Sequence, residues 1–89
     1  MRTVRLDGEK MTDKQTAHVY MQQQLNVPDY HGYNLDALYD ALGVYDKELS
    51  IMLINKPEMM AQLGPYGERL VQTFWDVEKV NRNVGFKVI

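Results

Sequence analysis

Apolar residues occur along the chain in short clusters whose spacing predicts three strands and four helices. The strand-like segments are 3–6 (TVRL), 49–54 (LSIMLI) and 84–89 (VGFKVI). Residues 49–54 form an almost uninterrupted apolar run, which is typical of a strand covered on both faces or nearly so. Helical segments occupy the stretches between the strands, which gives the element order β-α-α-β-α-α-β.

The first two helices precede the central strand. Thr12, with Gln15 three residues later, predicts a capping box at the start of a helix that continues to about Gln24. The inward-facing residues of this helix are predicted to be Ala17, Tyr20, Met21 and Leu25. Residues 26–33 contain a proline and a glycine, which favour a loop before the second helix.

The last two helices follow the central strand. Pro57 is suited to the first turn of a short helix, which Gly64 and Pro65 end. A longer helix is predicted from about Tyr66 to Val80. Its apolar side consists of Leu70, Val71, Phe74 and Val77, with Glu78 beside them.

The alternation of strands and helices predicts the topology of the sheet. Strands that are joined through helices are parallel and connected by right-handed crossovers. In 89 residues, three strands cannot carry full helical layers on both faces. The predicted fold class is therefore α/β: a two-layer domain in which a three-stranded parallel sheet packs against the helices. A single domain is expected to cover residues 1–89, and the free protein is expected to be a monomer.

The composition of the chain mainly excludes other classes of protein. Apolar residues make up 45% and charged residues 25% of the chain, as in ordinary folded domains. The chain contains no cysteine, which excludes disulfides and thiolate metal sites. No apolar run approaches the roughly 20 residues that span a bilayer, and the N-terminal residues lack the apolar segment of a secretory signal. We therefore expect a cytoplasmic protein without cofactor, bound metal or membrane contact.

Charge is distributed unevenly along the chain. Residues 15–46 contain four aspartates and no Lys or Arg, a formal charge of −4, although the whole chain carries only −2. A segment whose charged residues all have the same sign often binds a partner of the opposite charge. The mild overall acidity argues against direct binding of nucleic acid, because nucleic-acid-binding domains usually carry basic patches.

The acidic block includes one short amphipathic helix. Asn34 is a favoured N-cap for it, and Gly43 is a natural terminator. At about 100° per residue, Asp36 and Asp40 lie on one face, and Tyr39 lies between this face and the leucines. The residues that cluster on another face are Leu35, Leu38 and Leu42. We expect the leucines to anchor the helix and both carboxylates to project into solvent.

The folding of the isolated domain does not explain this pair of carboxylates. Asp36 in the first turn gains about 0.3–1 kcal/mol from the helix dipole. Asp40 gains no such benefit, and like charges one turn apart cost roughly 0.2–0.5 kcal/mol. Two interpretations are open: a solvated helix face, which would more naturally include Lys, or a surface that binds a partner.

Three kinds of chemistry use two carboxylates at this spacing. General acid–base catalysis requires a concave site that shifts their pKa values. A hard cation requires more oxygen ligands than two carboxylates supply. A basic partner protein would be attracted by a rigid acidic helix whose carboxylates imitate spaced phosphates. Flanking tyrosines, which are enriched at protein interfaces, favour this third use. These tyrosines are Tyr30, Tyr33, Tyr39 and Tyr45.

The segment VPDYHGYNLDALYDALG, residues 27–43, resembles the central signature of the barstar family. The shared features are a proline, an acid, an aromatic pair, a glycine and the run Asn-Leu-Asp-Ala-Leu-aromatic-Asp. The likeness extends along the whole chain, from the short first strand to the late helix with Phe74. Barstar-like proteins are cytoplasmic inhibitors of barnase-type ribonucleases. The resemblance therefore implies a barstar-like fold and an immunity-type inhibitor that forms a 1:1 complex with an extracellular or toxin ribonuclease.

The resemblance also implies which residues bind the partner. The loop and second helix, about residues 28–45, would plug the active site of a guanyl-preferring ribonuclease, with acidic groups in the places of RNA phosphates. Tyr30 would lie against the catalytic histidine of the nuclease, and Asp40 would be the deepest anion. Asp76 on the late helix would make a secondary acidic contact. The complete implied set is Tyr30, Asn34, Asp36, Tyr39, Asp40, Gly43, Tyr45 and Asp76.

The chain departs from the family pattern around the second helix. Tyr39 stands where the family has tryptophan, and Tyr33 stands where it has an acidic residue. After the helix, either Val44 or Tyr45 takes over the contact that the family makes with an aromatic residue. His31 is either a contact beside Tyr30 or an exposed loop histidine. These departures concern the identity of the partner and not the mode of binding.

Two other functions compete with an inhibitor. An enzyme is disfavoured because Ser50, the only serine, lies in an apolar strand, and because His18 is expected to be exposed or half-buried on its helix. No glycine-rich phosphate loop or metal-ligand spacing occurs. The chain is therefore expected not to be an enzyme and to have no catalytic residue. The alternative that stays open is an acidic adaptor that binds a basic partner other than a ribonuclease.

Overall fold

The computed structural model describes all residues from Met1 to Ile89. The strands are β1 (Arg2–Asp7), β2 (Leu49–Ile54) and β3 (Val84–Val88). The helices are α1 (Lys14–Leu25), α2 (Leu35–Gly43), α3 (Lys56–Leu63) and α4 (Pro65–Val80). A 3-10 turn, Gly8–Lys10, follows the first strand. The observed order of strands and α-helices is the predicted one. None of the four helices combines the length and apolar character that crossing a bilayer requires.

The three strands form one parallel sheet in the order β1-β2-β3. Val4 pairs with Ile51 of the central strand, which in turn pairs with Phe86. Both connections between neighbouring strands contain helices, as parallel pairing requires. The predicted fold class, an α/β domain with a three-stranded parallel sheet, is confirmed.

One face of the sheet carries the hydrophobic core. The buried strand residues on this face are Val4, Leu6, Leu49, Ile51, Leu53, Val84 and Phe86. On the other face of β2, Ser50, Met52 and Ile54 are half-buried. The apolar run 49–54 therefore belongs to a strand with one fully covered face and one partly covered face. This asymmetry agrees with a two-layer arrangement.

The starts of the first two helices are specified by side chains that accept a hydrogen bond from the first turn. Asp13 is the N-cap of α1, and its Oδ1 accepts from the Thr16 N–H at 2.8 Å. The predicted capping box beginning at Thr12 is therefore wrong by one residue, because the neighbouring aspartate is also a favoured cap. Asn34 caps α2 as predicted, with its Oδ1 accepting from the Ala37 N–H at 2.8 Å.

Side chains from the helices occupy one backbone N–H group on each edge strand. The hydroxyl of Tyr20 on α1 accepts a hydrogen bond from the Asp7 N–H of β1 at 2.9 Å. The carboxylate of Glu78 on α4 accepts one from the Phe86 N–H of β3 at 2.9 Å. Each edge of the sheet is thus interrupted by a hydrogen bond to a side chain.

Candidate partner-binding surface

The two carboxylates of α2 lie on its exposed face, as the hydrophobic pattern predicts. Asp36 and Asp40 are exposed, and we call this pair the acidic face. On the other side of the helix, Leu38, Ala41 and Leu42 are buried in the core. Because the apolar side is packed, the acidic face is carried by an element that cannot rotate without exposing the core.

The loop before α2 is held by side chains of α1. Tyr30 is only 4% exposed, and its hydroxyl lies 2.6 Å from Nδ1 of His18. Gln22, one turn further along α1, donates from Nε2 to the Gly32 carbonyl at 3.1 Å. Residues four positions apart lie on the same side of a helix, so α1 holds the loop at two points.

His18 lies at the centre of a hydrogen-bonded group of three rings. Its Nδ1 faces Tyr30, and its Nε2 lies 2.6 Å from the hydroxyl of Tyr66 at the start of α4. Because Tyr30 is buried, we assign its hydroxyl hydrogen to Nδ1, so that His18 donates from Nε2 to Tyr66. Burial, with a smaller contribution from Lys14, lowers the pKa of His18 to about 4. Burial also raises the pKa of both tyrosines, so all three rings are neutral near pH 7.

This group of rings corrects one expectation drawn from the sequence and bears on a second. His18 is completely buried and not exposed or half-buried, because the core accommodates it between two tyrosine hydroxyls. The resemblance places Tyr30 against the partner, and in the free protein its side chain is only 4% exposed. Tyr33, which is 50% exposed, is the accessible tyrosine of the loop. His31 is an exposed loop residue.

The C-terminal end of α2 is held by the residue that ends α4. Asn81 is buried, and its amide donates to the carbonyl oxygens of Leu42 and Tyr45, each at 2.8 Å. The Tyr45 ring is half-buried, with the Arg2 guanidinium carbon 5.8 Å from its centre. Val44 is 75% exposed. Of the two residues that the sequence leaves as alternatives after α2, Val44 is therefore the more accessible.

The remaining predicted contacts lie on α2 or on the adjacent helix. Tyr39 and Gly43 are half-buried residues of α2. Asp76 is half-buried on α4, where it accepts a hydrogen bond from Gln72 Nε2 at 2.9 Å. Helices α2 and α4 pack against each other. The side-chain oxygen of Asn34 is used by the helix cap, which leaves its amide group for an outside acceptor.

The geometry of the acidic face suits association with another molecule better than catalysis or metal binding. No group of three or more His, Cys, Asp or Glu side chains could hold a metal ion. Asp36 borders a shallow depression together with Lys14 and Arg69, whereas Asp40 lies outside it. Both cations contact the Tyr66 ring, at 5.2 and 5.3 Å from its centre. Exposed carboxylates in such a position can pair with cationic side chains of a second protein.

Fold and surface together define a small α/β protein with a firmly held acidic helix. The whole chain, residues 1–89, matches the family described as Barstar (barnase inhibitor). A protein of Bacillus subtilis (strain 168) named "Putative ribonuclease inhibitor YrdF" is 31% identical over 90 residues, which cover 100% of this chain and 98% of that protein. The chain belongs to the barstar family. Because this is a family of inhibitors, the chain is not an enzyme, as the sequence predicted.

Sequence reasoning missed the buried side chains that support the surface. His18 falls on the apolar stripe of α1 with Met21 and Leu25, a spacing that could have indicated its burial. Asn81 directly follows the last residue of α4, where a side-chain amide can satisfy free carbonyl groups. Its two acceptors are 36 and 39 residues away in the chain, so no local pattern identifies them.

Proposed function

We propose that the chain inhibits a barnase-type, guanyl-preferring ribonuclease by covering its active site with the loop and helix of residues 28–45. The observation that carries this proposal is the exposure of Asp36 and Asp40 on a helix whose other side is packed in the core. Family membership and the name of the Bacillus subtilis relative support a ribonuclease as the partner.

The two carboxylates of the acidic face take the places of RNA phosphates. Residues one helical turn apart have Cβ atoms about 5–6 Å apart, so Asp36 and Asp40 face the partner together. A site that binds phosphates presents Lys and Arg side chains, and these donate short, charge-assisted hydrogen bonds to carboxylates as well. RNA is then excluded because the cations that would bind it are already paired.

Contacts on both sides of the acidic face prepare it for binding. Tyr30 is held by His18 before the helix, and the carbonyls of Leu42 and Tyr45 are held by Asn81 after it. A surface that is already ordered loses less conformational entropy when it binds. We therefore expect the free and bound forms of α2 to be closely similar.

Exposed apolar and aromatic side chains add contact area around the anions. Tyr33 supplies it before the helix and Val44 after it, because they are 50% and 75% exposed. Tyr39 lies beside the acidic face, and Asp76 adds an acidic contact from α4. The other members of the proposed contact set are Tyr30, Asn34, Gly43 and Tyr45.

The biological setting is part of the same proposal. The complex has one inhibitor and one ribonuclease, because the acidic face is a single surface that fills a single active site. The ribonuclease is one that the producing cell secretes or that a competitor delivers as a toxin. The inhibitor acts in the cytoplasm, where it protects cellular RNA.

Titration of a guanyl-preferring, barnase-type ribonuclease with the purified protein tests this function. RNA cleavage is expected to fall to the background rate at one equivalent of inhibitor. Asp40→Asn is expected to weaken inhibition strongly. Asp46→Asn is the matched control, since it removes the same charge from an exposed acid outside the acidic face. Stable binding to a basic protein without loss of ribonuclease activity would favour the adaptor alternative.

A further inference from the structure

Both polar groups of the Asn81 side chain have hydrogen-bond partners inside the protein. The side-chain Nδ2 donates to the carbonyls of Leu42 and Tyr45, each at 2.8 Å. Its Oδ1 accepts from the Asn83 N–H at 3.0 Å. The residue is 8% exposed and ends α4 as its C-cap. A polar residue this well buried is stable only because each of its groups has a partner.

The arrangement requires two donors and one acceptor on a short side chain. An asparagine supplies both amide hydrogens and the carbonyl oxygen at the necessary distance. An aspartate would place a negative oxygen against the two carbonyls. An alanine would remove the side-chain donor from both, and it would leave the Leu42 carbonyl with only the backbone N–H groups that follow it. Leu42 lies in the last turn of α2, where backbone carbonyls have no partner within the helix.

The two carbonyls that Asn81 binds lie on either side of Gly43 and Val44. The Val44 N–H and the Tyr45 N–H both approach the Leu42 carbonyl, so the chain turns tightly around the point at which Asn81 binds. Val44 projects from this turn and is 75% exposed. The direction of its side chain therefore depends on two hydrogen bonds from another helix.

We propose that Asn81 is a positioning residue for the partner interface: its amide fixes the turn after the acidic helix so that Val44 meets the ribonuclease. This inference rests on the proposed inhibitor function. Asn81 does not touch the partner, and it acts only through the segment from Leu42 to Tyr45. Asn81, at the end of α4, would therefore influence recognition of the partner although it lies outside the interface.

The inhibition constant of Asn81→Ala, measured at a temperature at which the variant is fully folded, tests the proposal. We expect inhibition to weaken about tenfold through faster dissociation, with little change in the association rate. Asn83→Ala is the matched control, because it removes a half-buried asparagine two residues away whose side chain does not bind the turn. It is expected to inhibit like the wild type.

Double-mutant cycles separate positioning from a general structural effect. Asn81→Ala combined with Val44→Ala should be less than additive, since the turn has little left to position once Val44 is truncated. Asn81→Ala combined with Asp36→Asn, at the opposite end of the helix, should be additive. Additivity in both cycles, or unchanged inhibition by folded Asn81→Ala, would overturn the proposal.

Amide hydrogen exchange in the free protein gives a readout that is independent of the ribonuclease. Asn81→Ala should accelerate exchange at Val44 and Tyr45 relative to Asn83→Ala, and equal protection in the two variants would also overturn the proposal. If the wild type inhibits no ribonuclease but exchange is accelerated, the proposed function fails and the positioning of the turn stands. Should Asn81→Ala not fold, Asn81→Ser retains one donor and allows the same measurements.

Discussion

The two ends of the acidic helix are held by different chemistry. Before the helix, the loop is anchored where His18 receives the Tyr30 hydroxyl hydrogen. After it, the amide of Asn81 binds the carbonyls of Leu42 and Tyr45. An imidazole takes up a proton when the pH falls far enough, and burial lowers the pKa of His18 to about 4, whereas an amide does not titrate. One support of the acidic helix is therefore sensitive to acid, and the other is not.

The charges near the two ends differ as well. Asp36 borders a depression that also contains Lys14 and Arg69. Asp40 lies outside that depression, and the next acid along the chain, Asp46, is exposed. The N-terminal half of the acidic face therefore has cations of its own protein nearby. Asp40, in the C-terminal half, does not share this depression with the two cations.

The largest expected effect is the loss of inhibition when Asp40 is removed. Asp40→Ala should weaken inhibition by about 2–5 kcal/mol or more, because it leaves positive charge of the ribonuclease buried without a partner. The same change should leave the free protein as stable as before or slightly more stable, since repulsion from Asp36 is relieved. The inhibition constant and the thermal unfolding midpoint of the free variant measure both effects.

Asp36→Ala provides the comparison for this experiment. The nearby cations Lys14 and Arg69 already offset part of the field of Asp36, so its removal should cost less binding energy than the removal of Asp40. Equal losses would show that the two halves of the acidic face do not differ. Unfolding of Asp40→Ala, or intact inhibition by it, would contradict the proposed role of α2.

The second effect is on folding, and it depends on pH. The pKa of His18 falls from 6.5 in an unperturbed side chain to about 4 in the folded protein, so the unfolded chain binds the additional proton. The free energy of unfolding should be insensitive to this group above pH 6.5 and decrease as the pH falls from 6.5 to 4. The loss should reach up to about 3 kcal/mol. Urea unfolding at a series of pH values measures it.

Two variants test whether this pH dependence of stability comes from His18, the support before α2. His18→Gln lacks the titrating ring and should have a flatter stability profile between pH 6.5 and 4. Asn81→Ala should be less stable at every pH but should keep the slope of the wild type. A slope that persists unchanged in His18→Gln would mean that other groups cause the acid sensitivity.

A smaller effect is expected at the second anchor of the loop. Gln22→Ala removes one hydrogen bond to the Gly32 carbonyl and should lower the free energy of unfolding by about 0.5–1.5 kcal/mol. Gln23→Ala, on an exposed neighbouring position of α1, is the control and should be nearly neutral. Thermal unfolding of the two variants provides the measurement. Equal stability of both would mean that His18 alone holds the loop.

The smallest effects concern the rate of association. Lys14→Gln removes a positive charge near Asp36 and should speed association with a cationic ribonuclease about twofold. Asp46→Asn should slow it by a similar factor, and neither change should affect dissociation. Stopped-flow measurements at low salt and at about 0.5 M salt test this, because screening should abolish both differences. Effects that persist at high salt would indicate direct contacts.

Sequence reasoning was most successful where the determining interactions are local. Helix α2 was predicted from Asn34, the leucine spacing and Gly43, all of which lie within ten residues. The start of α1 was misplaced by one residue because Thr12 and Asp13 are both good caps, and only the backbone conformation decides between them. The parallel sheet followed from the alternation of strands and helices, which requires no knowledge of side-chain contacts.

The supports of the candidate surface could not be predicted in the same way. Tyr30 looks like an exposed interface tyrosine until the partner of its hydroxyl is known, and that partner lies on another element. His18 links Tyr30 to Tyr66, and Tyr66 lies 48 residues after His18 in the chain. Asn81 likewise depends on carbonyls of a helix that is distant in sequence. Such hydrogen-bond networks depend on the tertiary packing, and the types of the residues involved indicate them only weakly.

The hydrogen bonds from Tyr20 and Glu78 to the edge strands limit how the protein can be recognised. Many proteins bind an extended peptide by adding it as a further strand to an open sheet edge, which requires an uninterrupted row of backbone groups. Here the Asp7 N–H and the Phe86 N–H are already occupied on opposite edges. β-Augmentation is therefore disfavoured at both edges, for a foreign peptide and for a second copy of the chain alike. The same two hydrogen bonds disfavour self-association through the strands, because an open edge strand is a template for pairing with another chain.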